Sequence, residues 1–160
     1  MGNINGHETR VTAPWLRMRL AEPDTARRIC LIDATPTADA PCLPHARPLD
    51  VRALVEQSGG VPPAPSFQAA VRRIGATSFD QVVIYDRDIP LAASVLWRLF
   101  QIFGHRDTAI LEGGYQAWCS AAGELASHYS EHEAGTWRAA QSPADGALLA
   151  EIRLLLQSSS

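Results

Sequence analysis

Three short apolar runs, separated by segments with helical periodicity, constrain the fold of this chain most. The runs are residues 29–32, 81–85 and 108–111. They are apolar almost throughout rather than alternating, which is typical of strands buried on both faces, and such strands occur in parallel sheets covered by helices. The sequence therefore predicts an α/β domain with a mainly parallel sheet.

Helix signals lie between and around these runs. Thr12 and Pro14 are typical of a helix start, and apolar residues recur every three or four positions through residues 67–74 and 91–102. Residues 35–48 contain four prolines and little periodicity, so they predict a loop.

Size and charge bound the functions that this chain can have. Its 160 residues fit one domain with a proper core. A net charge of −3 gives no reason to expect nucleic-acid binding. All 14 basic residues are arginine, which excludes mechanisms that need a lysine, such as Schiff-base formation and P-loop phosphate binding.

Targeting signals and disulfides are not expected. The N-terminal residues have no apolar core like that of a signal peptide, and no apolar run is long enough to span a bilayer. The three cysteines are unevenly spaced and predict no disulfide framework. We therefore expect a cytoplasmic protein with no membrane partner.

Several segments, in the same order, resemble the rhodanese family of sulfurtransferases. They are residues 11–16, 31–35, 61–67, 82–86, 103–105 and 111–118. The last two, Phe-Gly-His and Leu-Glu-Gly-Gly-Tyr-Gln-Ala-Trp, are the most specific. The chain is most similar to the N-terminal half of two-domain thiosulfate and 3-mercaptopyruvate sulfurtransferases, and this implies a rhodanese-like α/β fold with a central parallel sheet of about five strands flanked by helices.

The resemblance also implies a domain organisation. The rhodanese-like domain would cover residues 11–125, after an N-terminal tail of residues 1–10. Residues 126–160 would form a linker-like C-terminal extension that ends in a helix. In tandem enzymes of this family the N-terminal domain usually lacks the cysteine, which lies in the C-terminal domain, so the chain is either a stand-alone domain or a fragment of a tandem enzyme.

Asp86 occupies the position at which an active rhodanese carries its nucleophilic cysteine. The corresponding loop consists of Asp86, Arg87, Asp88, Ile89, Pro90 and Leu91. A carboxylate cannot form a persulfide, Asp86 and Asp88 would repel an anionic substrate, and Pro90 offers no N–H donor. Arg87 can offset part of that charge. We expect Asp86 to cap the helix that follows rather than to act in catalysis.

A second family motif is altered at residues 41–50. On the alignment with the family's Gly-His-Ile-Pro-Gly-Ala stretch, Cys42 replaces the histidine and His45 replaces a glycine, which predicts a changed turn. His45 and Arg47, together with Arg87, are the candidate anion-binding residues. Cys42 is the alternative candidate for a reactive thiol.

Three hypotheses of function follow. The first is a non-catalytic sulfurtransferase-family domain that acts as a binding, regulatory or structural module. The second is an active sulfurtransferase that uses Cys42 on a small anionic sulfur compound. The third and most remote is a phosphatase that uses Asp86 and Asp88, although no later acidic pair is available for magnesium. We expect no cofactor and no metal site, and only the phosphatase alternative would require magnesium.

The end of the chain is the predicted docking element. Ser142-Pro143 is typical of a helix start, and Leu148, Ile152 and Leu155 then fall on one helical face. We expect these three side chains to be exposed in the isolated chain and to be covered by a catalytic rhodanese domain or another protein partner.

Overall fold

The computed structural model describes residues 9–26, 28–89, 91–140 and 146–157, without the side chains of Thr25 and Ala26. Most of the predicted N-terminal tail, Pro90 of the loop and the Ser142-Pro143 helix start lie outside the described residues.

A parallel sheet forms the centre of the domain. Within the described ranges it has five strands: β1 (Arg10–Val11), β2 (Ile29–Asp33), β3 (Arg47–Pro48), β4 (Gln81–Tyr85) and β5 (Thr108–Leu111). Their spatial order is β1-β5-β4-β2-β3, and every neighbouring pair is parallel. The predicted α/β fold with a parallel sheet of about five strands is confirmed.

Helices cover both faces of this sheet. They are α1 (Ala13–Ala21), α2 (Pro23–Ala26), α3 (Val51–Ser58), α4 (Ala64–Arg73), α5 (Ala92–Ile102), α6 (Gly114–Ser120) and α7 (Gly146–Gln157). The predicted cap of α1 is present, since Thr12 Oγ1 accepts the N–H of Trp15 at 3.3 Å. Asp50 caps α3 in the same way through the N–H of Ala53 at 3.1 Å.

The core has one hydrophobic cluster on each face of the sheet. Alternate residues of β4 divide between them: Val82 and Ile84 face one cluster, and Val83 and Tyr85 face the other. Because both faces are covered, no position in the strand can be polar and exposed, which explains the continuous apolar run in the sequence.

The segment after α6 has no regular secondary structure, yet it is part of the core. Trp137 is fully buried and its indole N–H donates to His105 Nδ1 at 3.0 Å. The backbone N–H of Ala140 donates to the carbonyl of Phe103 at 2.8 Å. These contacts hold the segment against the end of α5.

Helix α7 also packs against the domain itself. Leu148, Ile152 and Leu155 are 0%, 2% and 0% exposed, and Arg98 Nε on α5 lies 3.0 Å from Glu151 Oε1. The prediction that these three apolar side chains are exposed in the isolated chain is therefore wrong. The physical reason is that α3 and α5 already offer an apolar surface, so the stripe on α7 is buried within the chain.

The buried imidazole of His105 makes the stability of the fold depend on pH. Its Nδ1 accepts from Trp137, so the ring proton is on Nε2, which lies 2.8 Å from the carbonyl oxygen of Asp80. Burial lowers the pKa of His105, and the Asp80 carbonyl and the charges of Asp107 and Asp80 only partly oppose this effect. The unfolded chain therefore binds a proton more readily than the folded one at this position.

We predict that the free energy of unfolding decreases as the pH falls below the ordinary histidine pKa of about 6.5, and that it is fully maintained above it. Urea unfolding of the wild type and of His105→Gln measures this, and the variant should show the weaker pH dependence. His128→Gln, at an exposed position, serves as the control. Equal slopes for wild type and His105→Gln between about pH 7 and 5 would contradict the prediction.

Candidate functional site

The loop that carries Asp86 connects the carboxyl end of β4 to the start of α5. Asp86 Oδ2 accepts the backbone N–H of Ala93, in the first turn of α5, at 3.0 Å. This is the capping contact predicted for Asp86. Leu91 has a left-handed backbone with φ = 72°, and its carbonyl accepts the N–H of Val95 at 2.8 Å. The carboxylate therefore occupies an N–H group at the helix start that an anion would otherwise use.

The neighbouring glycine pair lets α6 approach this loop closely. The backbone carbonyl of Asp86 accepts the N–H of Tyr115 at 3.0 Å. A Cβ on Gly114, whose φ is 59°, would lie 2.5 Å from that carbonyl oxygen. Glycine at position 114 is therefore needed for the contact, and this explains one of the most specific motifs in the sequence.

Arg87 points into the protein rather than into solvent. Its Nη2 donates to Asp33 Oδ2 at 3.0 Å, and its side chain is 10% exposed. The guanidinium carbon lies 4.3 Å from the centre of the Tyr115 ring, within cation–π distance. The backbone N–H of Arg87 donates to Thr35 Oγ1 at 3.0 Å. The charge that was predicted to bind an anion is thus already paired.

Asp33 is the centre of a buried polar network. Its side chain is fully buried, and Oδ1 accepts the N–H of Thr35 at 2.9 Å. Oδ2 accepts from the Tyr85 hydroxyl at 3.1 Å, the Tyr129 hydroxyl at 2.8 Å and Arg87. We call these five residues the Asp33 network. Burial, with the hydrogen bond to Asp33 and its charge, raises the pKa of Tyr129 to about 12, which keeps that hydroxyl a donor.

Two shallow clefts open beside the loop. One, of about 460 Å³, lies between the loop and α3, and its charged lining residues are Asp50, Arg52, Glu56, Arg87 and Asp88. The other, of about 360 Å³, lies between the loop and α6, where Asp86 and Asp88 face Tyr115. Ile89 is half-buried and packs against the core. With Arg87 paired to Asp33, the carboxylates dominate the charge of the second cleft.

Cys42, the alternative thiol, lies inside the protein. It is fully buried, and its N–H and carbonyl pair with the backbone of Ala126 at 2.9 and 2.7 Å. Burial, followed by the negative charge of Asp33, raises the pKa of the Cys42 thiol. Cys30 is also buried, whereas Cys119 on α6 is exposed. Neither buried thiol is placed to react as a thiolate at neutral pH.

The structure separates His45 and Arg47 from Arg87. His45 and Arg47 line a cleft with His132 near Ile29, the first residue of β2, whereas Arg87 lies beyond the last residues of the strands. His45 has φ = 65°, a left-handed conformation that suits glycine better. The turn at His45 has therefore not changed to a conformation that suits a side chain.

Most of the Asp33 network leaves no local signal in the sequence. Asp33 is marked only by its position after a buried strand. Tyr129 is 96 residues away from it in the chain, and no local pattern indicates that the two meet. His132 likewise stands in a segment without periodicity, so its place beside His45 is visible only in the folded chain.

Two further observations concern metals and membranes. Across the described residues, no three histidine, cysteine, aspartate or glutamate side chains are grouped where they could hold a metal ion. The described residues therefore offer no cluster of three such ligands for the magnesium of an aspartate-dependent phosphatase. No helix in the described part of the chain is long and apolar enough to cross a bilayer.

Comparison with known proteins identifies the domain type. A family model described as a rhodanese-like domain matches residues 12–121. Thiosulfate/3-mercaptopyruvate sulfurtransferase 1 of Arabidopsis thaliana is 25% identical over 131 residues, which cover 72% of this chain and 34% of that protein. Thiosulfate sulfurtransferase of Bos taurus is 30% identical over 81 residues, 49% of this chain and 27% of that protein.

Solved structures share the fold. SseA from Escherichia coli, described as a 3-mercaptopyruvate sulfotransferase, superimposes with a TM-score of 0.73 at 24% identity, covering 86% of this chain and 57% of that one. Tum1 from Saccharomyces cerevisiae gives a TM-score of 0.70 at 17% identity, covering 84% and 50%. The chain thus spans about a third of the Arabidopsis relative and little more than half of these structures.

We predict that Tyr129→Phe lowers the free energy of unfolding by about 1–3 kcal/mol, because Asp33 loses a donor while it stays buried. Chemical denaturation of the variant and the wild type measures the difference. Ser127→Ala is the control: it removes an exposed hydroxyl that makes no contact with the Asp33 network, and we expect a change below about 0.5 kcal/mol. A Tyr129→Phe protein as stable as the wild type would show that the network does not depend on this hydroxyl.

We also predict that thiol labelling distinguishes the three cysteines. In the folded protein a maleimide reagent should modify Cys119 rapidly, and Cys30 and Cys42 only after unfolding, because buried thiols are shielded and protonated. Mass spectrometry of labelled peptides, with and without urea, measures this. Labelling of Cys42 in the folded chain as fast as that of Cys119 would contradict the burial described above.

Proposed function

The chain belongs to the rhodanese-like domain family, and we propose that it is a member that does not transfer sulfur at its own loop and acts instead as a binding, regulatory or structural module. The observation that carries this proposal is the contact between Asp86 and the N–H of Ala93, 3.0 Å apart. In the loop where an active rhodanese would carry its nucleophile, the Asp86 side chain therefore stabilises the start of α5.

The chemistry of sulfur transfer supports this proposal. A rhodanese-type reaction needs a thiolate that attacks a sulfane sulfur and retains it as a persulfide. Asp86 offers carboxylate oxygens in place of the sulfur nucleophile, and its charge already lies at the N-terminus of α5. An incoming thiosulfate ion would meet like charge there instead of N–H donors.

The pairing of Arg87 is a second support. In an anion-binding loop an arginine must be able to turn towards the substrate. Here its guanidinium is held between Asp33 and Tyr115, and moving it would leave the buried Asp33 carboxylate without its cation. Breaking a buried pair in this way costs about 3–5 kcal/mol, more than one new contact to a small anion returns.

The alternative in which Cys42 is the sulfur carrier finds no support in its surroundings. Cys42 is buried, and the raised pKa of its thiol favours the protonated form. Cys119 is exposed, but it stands on α6 rather than in the loop between β4 and α5.

A partner is part of the proposal. The curated relatives are considerably longer than this chain, and a catalytic rhodanese domain is the partner that the family suggests. A contact through the C-terminal helix would now have to use its outer face, where Leu149 and Leu154 are 42% and 53% exposed. The cytoplasmic location predicted from the sequence stays a prediction.

We predict that the purified protein gains no sulfur atom when it is incubated with thiosulfate or 3-mercaptopyruvate, because none of its cysteines lies in the loop after β4. Intact mass before and after cyanide treatment measures this, with circular dichroism to show that the protein is folded. An active rhodanese treated in parallel is the positive control.

A reversible gain of one sulfur would overturn the proposal. If Cys42→Ser then abolished the gain while Asp86→Asn did not, Cys42 would be the carrier. A gain lost in Cys119→Ser would instead place the carrier on α6. Either result would make the protein a sulfurtransferase in its own right.

A further inference from the structure

A third cleft lies near the amino end of the sheet, apart from the loop that carries Asp86. Its volume is about 560 Å³. Three of its lining residues are basic and come from separate parts of the chain: His45 from the loop before β3, Arg47 from β3 and His132 from the segment after α6. The other lining residues are Leu20, Ala21, Pro23 and Ile29.

The guanidinium of Arg47 is held in place and is incompletely paired. Its Nη1 donates to the carbonyl oxygen of Ile74 at 3.1 Å and lies 3.5 Å from Cys30 Sγ. Its Nε is buried and has no hydrogen-bond partner among the residues that the structure describes. A buried donor of this kind without a partner is costly, and it marks the guanidinium of Arg47 as incompletely satisfied within the fold.

The three basic groups are close enough to repel one another. Burial lowers the pKa of His132, and the positive charges of Arg47 and His45 lower it further, while Asp80 acts in the opposite direction. Among the described residues that line the cleft, none is acidic. An anion placed between the three groups would relieve this repulsion.

His45 adds an independent observation. It holds φ = 65°, a conformation that is unfavourable for a residue with a Cβ. Such local strain is retained where a particular side chain is needed at that point. The imidazole of His45 is exposed and faces the cleft, as does that of His132.

The rest of the described cleft wall is apolar. Leu20 and Ala21 end α1, Pro23 begins α2, and Ile29 begins β2. Leu20 is half-buried, and Ala21 and Pro23 are exposed. A small inorganic ion would leave these three side chains facing water, whereas an aromatic or hydrocarbon group would cover them. The basic and apolar parts of the wall together favour a ligand with an acid group at one end and an apolar body at the other.

We propose that the cleft formed by His45, Arg47 and His132 binds an amphipathic organic anion, with the acid group between the three basic side chains and the apolar body against Leu20 and Pro23. This site is separate from the loop after β4, so it does not depend on whether that loop is catalytic. Failure of one proposal leaves the other standing.

Benzenesulfonate is a suitable probe, because its charge stays constant near neutral pH. We expect it to shift the ring nitrogen signals of His45 and His132 in NMR spectra of the full chain, and to bind more tightly than sulfate or the uncharged benzenesulfonamide. Because burial and the neighbouring positive charges lower the pKa of His132, this residue loses its positive charge as the pH rises, and the affinity should fall between about pH 5.5 and 8. The charged or titratable groups that act on His132 are Arg47, His45 and Asp80.

Variants identify the residues responsible. His45→Gly removes an imidazole and suits the left-handed turn, so the chain should fold at least as well while benzenesulfonate binds about tenfold more weakly. His132→Gln should weaken binding to a similar extent. His128→Gln, at an exposed position outside the cleft, is the matched control and should bind as the wild type does.

Several results would overturn this inference. Unchanged histidine signals at millimolar probe, or unchanged affinity in both His45→Gly and His132→Gln, would show that the cleft is not the site. Equal binding of benzenesulfonamide would show that charge is not used. Equal binding of sulfate would show that the apolar wall is not used, and the ligand class proposed here would then be wrong.

Discussion

The ion pair between Asp33 and Arg87 is the interaction on which the carboxyl edge of the sheet depends. A carboxylate with no exposed surface is unfavourable by several kcal/mol unless it is paired and hydrogen-bonded, and Asp33 has both kinds of partner. Its donors come from the end of β4, from the loop after it, from Thr35 and from Tyr129 far along the chain. Loop, sheet and C-terminal segment are thus joined through one side chain.

This arrangement shows which contacts the charged side chains of the loop make within the rhodanese-like fold. The fold places helix N–H groups after β4, where an anion would bind, and the chain fills that place with the carboxylate of Asp86. The one arginine of the loop is turned inward to Asp33. In this loop the charges of Asp86 and Arg87 make contacts within the protein. The other basic cluster, around Arg47, lies near the opposite end of the strands.

The folded unit extends beyond the residues that match the family. The match ends at residue 121, yet Tyr129 bonds to Asp33, Trp137 bonds to His105 inside the core, and the apolar stripe of α7 covers α3 and α5. From its periodicity alone, α7 was predicted to dock on a partner. An amphipathic helix shows that it needs an apolar surface, but not whether that surface belongs to the same chain.

The sequence by itself determined the parallel α/β fold, the start of α1 at Thr12 and the capping role of Asp86, because each follows from local periodicity, from capping chemistry or from a motif of fixed spacing. Only the tertiary structure decided that Arg87 pairs with Asp33, that Cys42 is buried and that His45 meets His132. Those contacts join residues that are far apart in the chain. Strand order and the path of the irregular segment after α6 determine which of them form, and no periodic pattern in the sequence indicates either one.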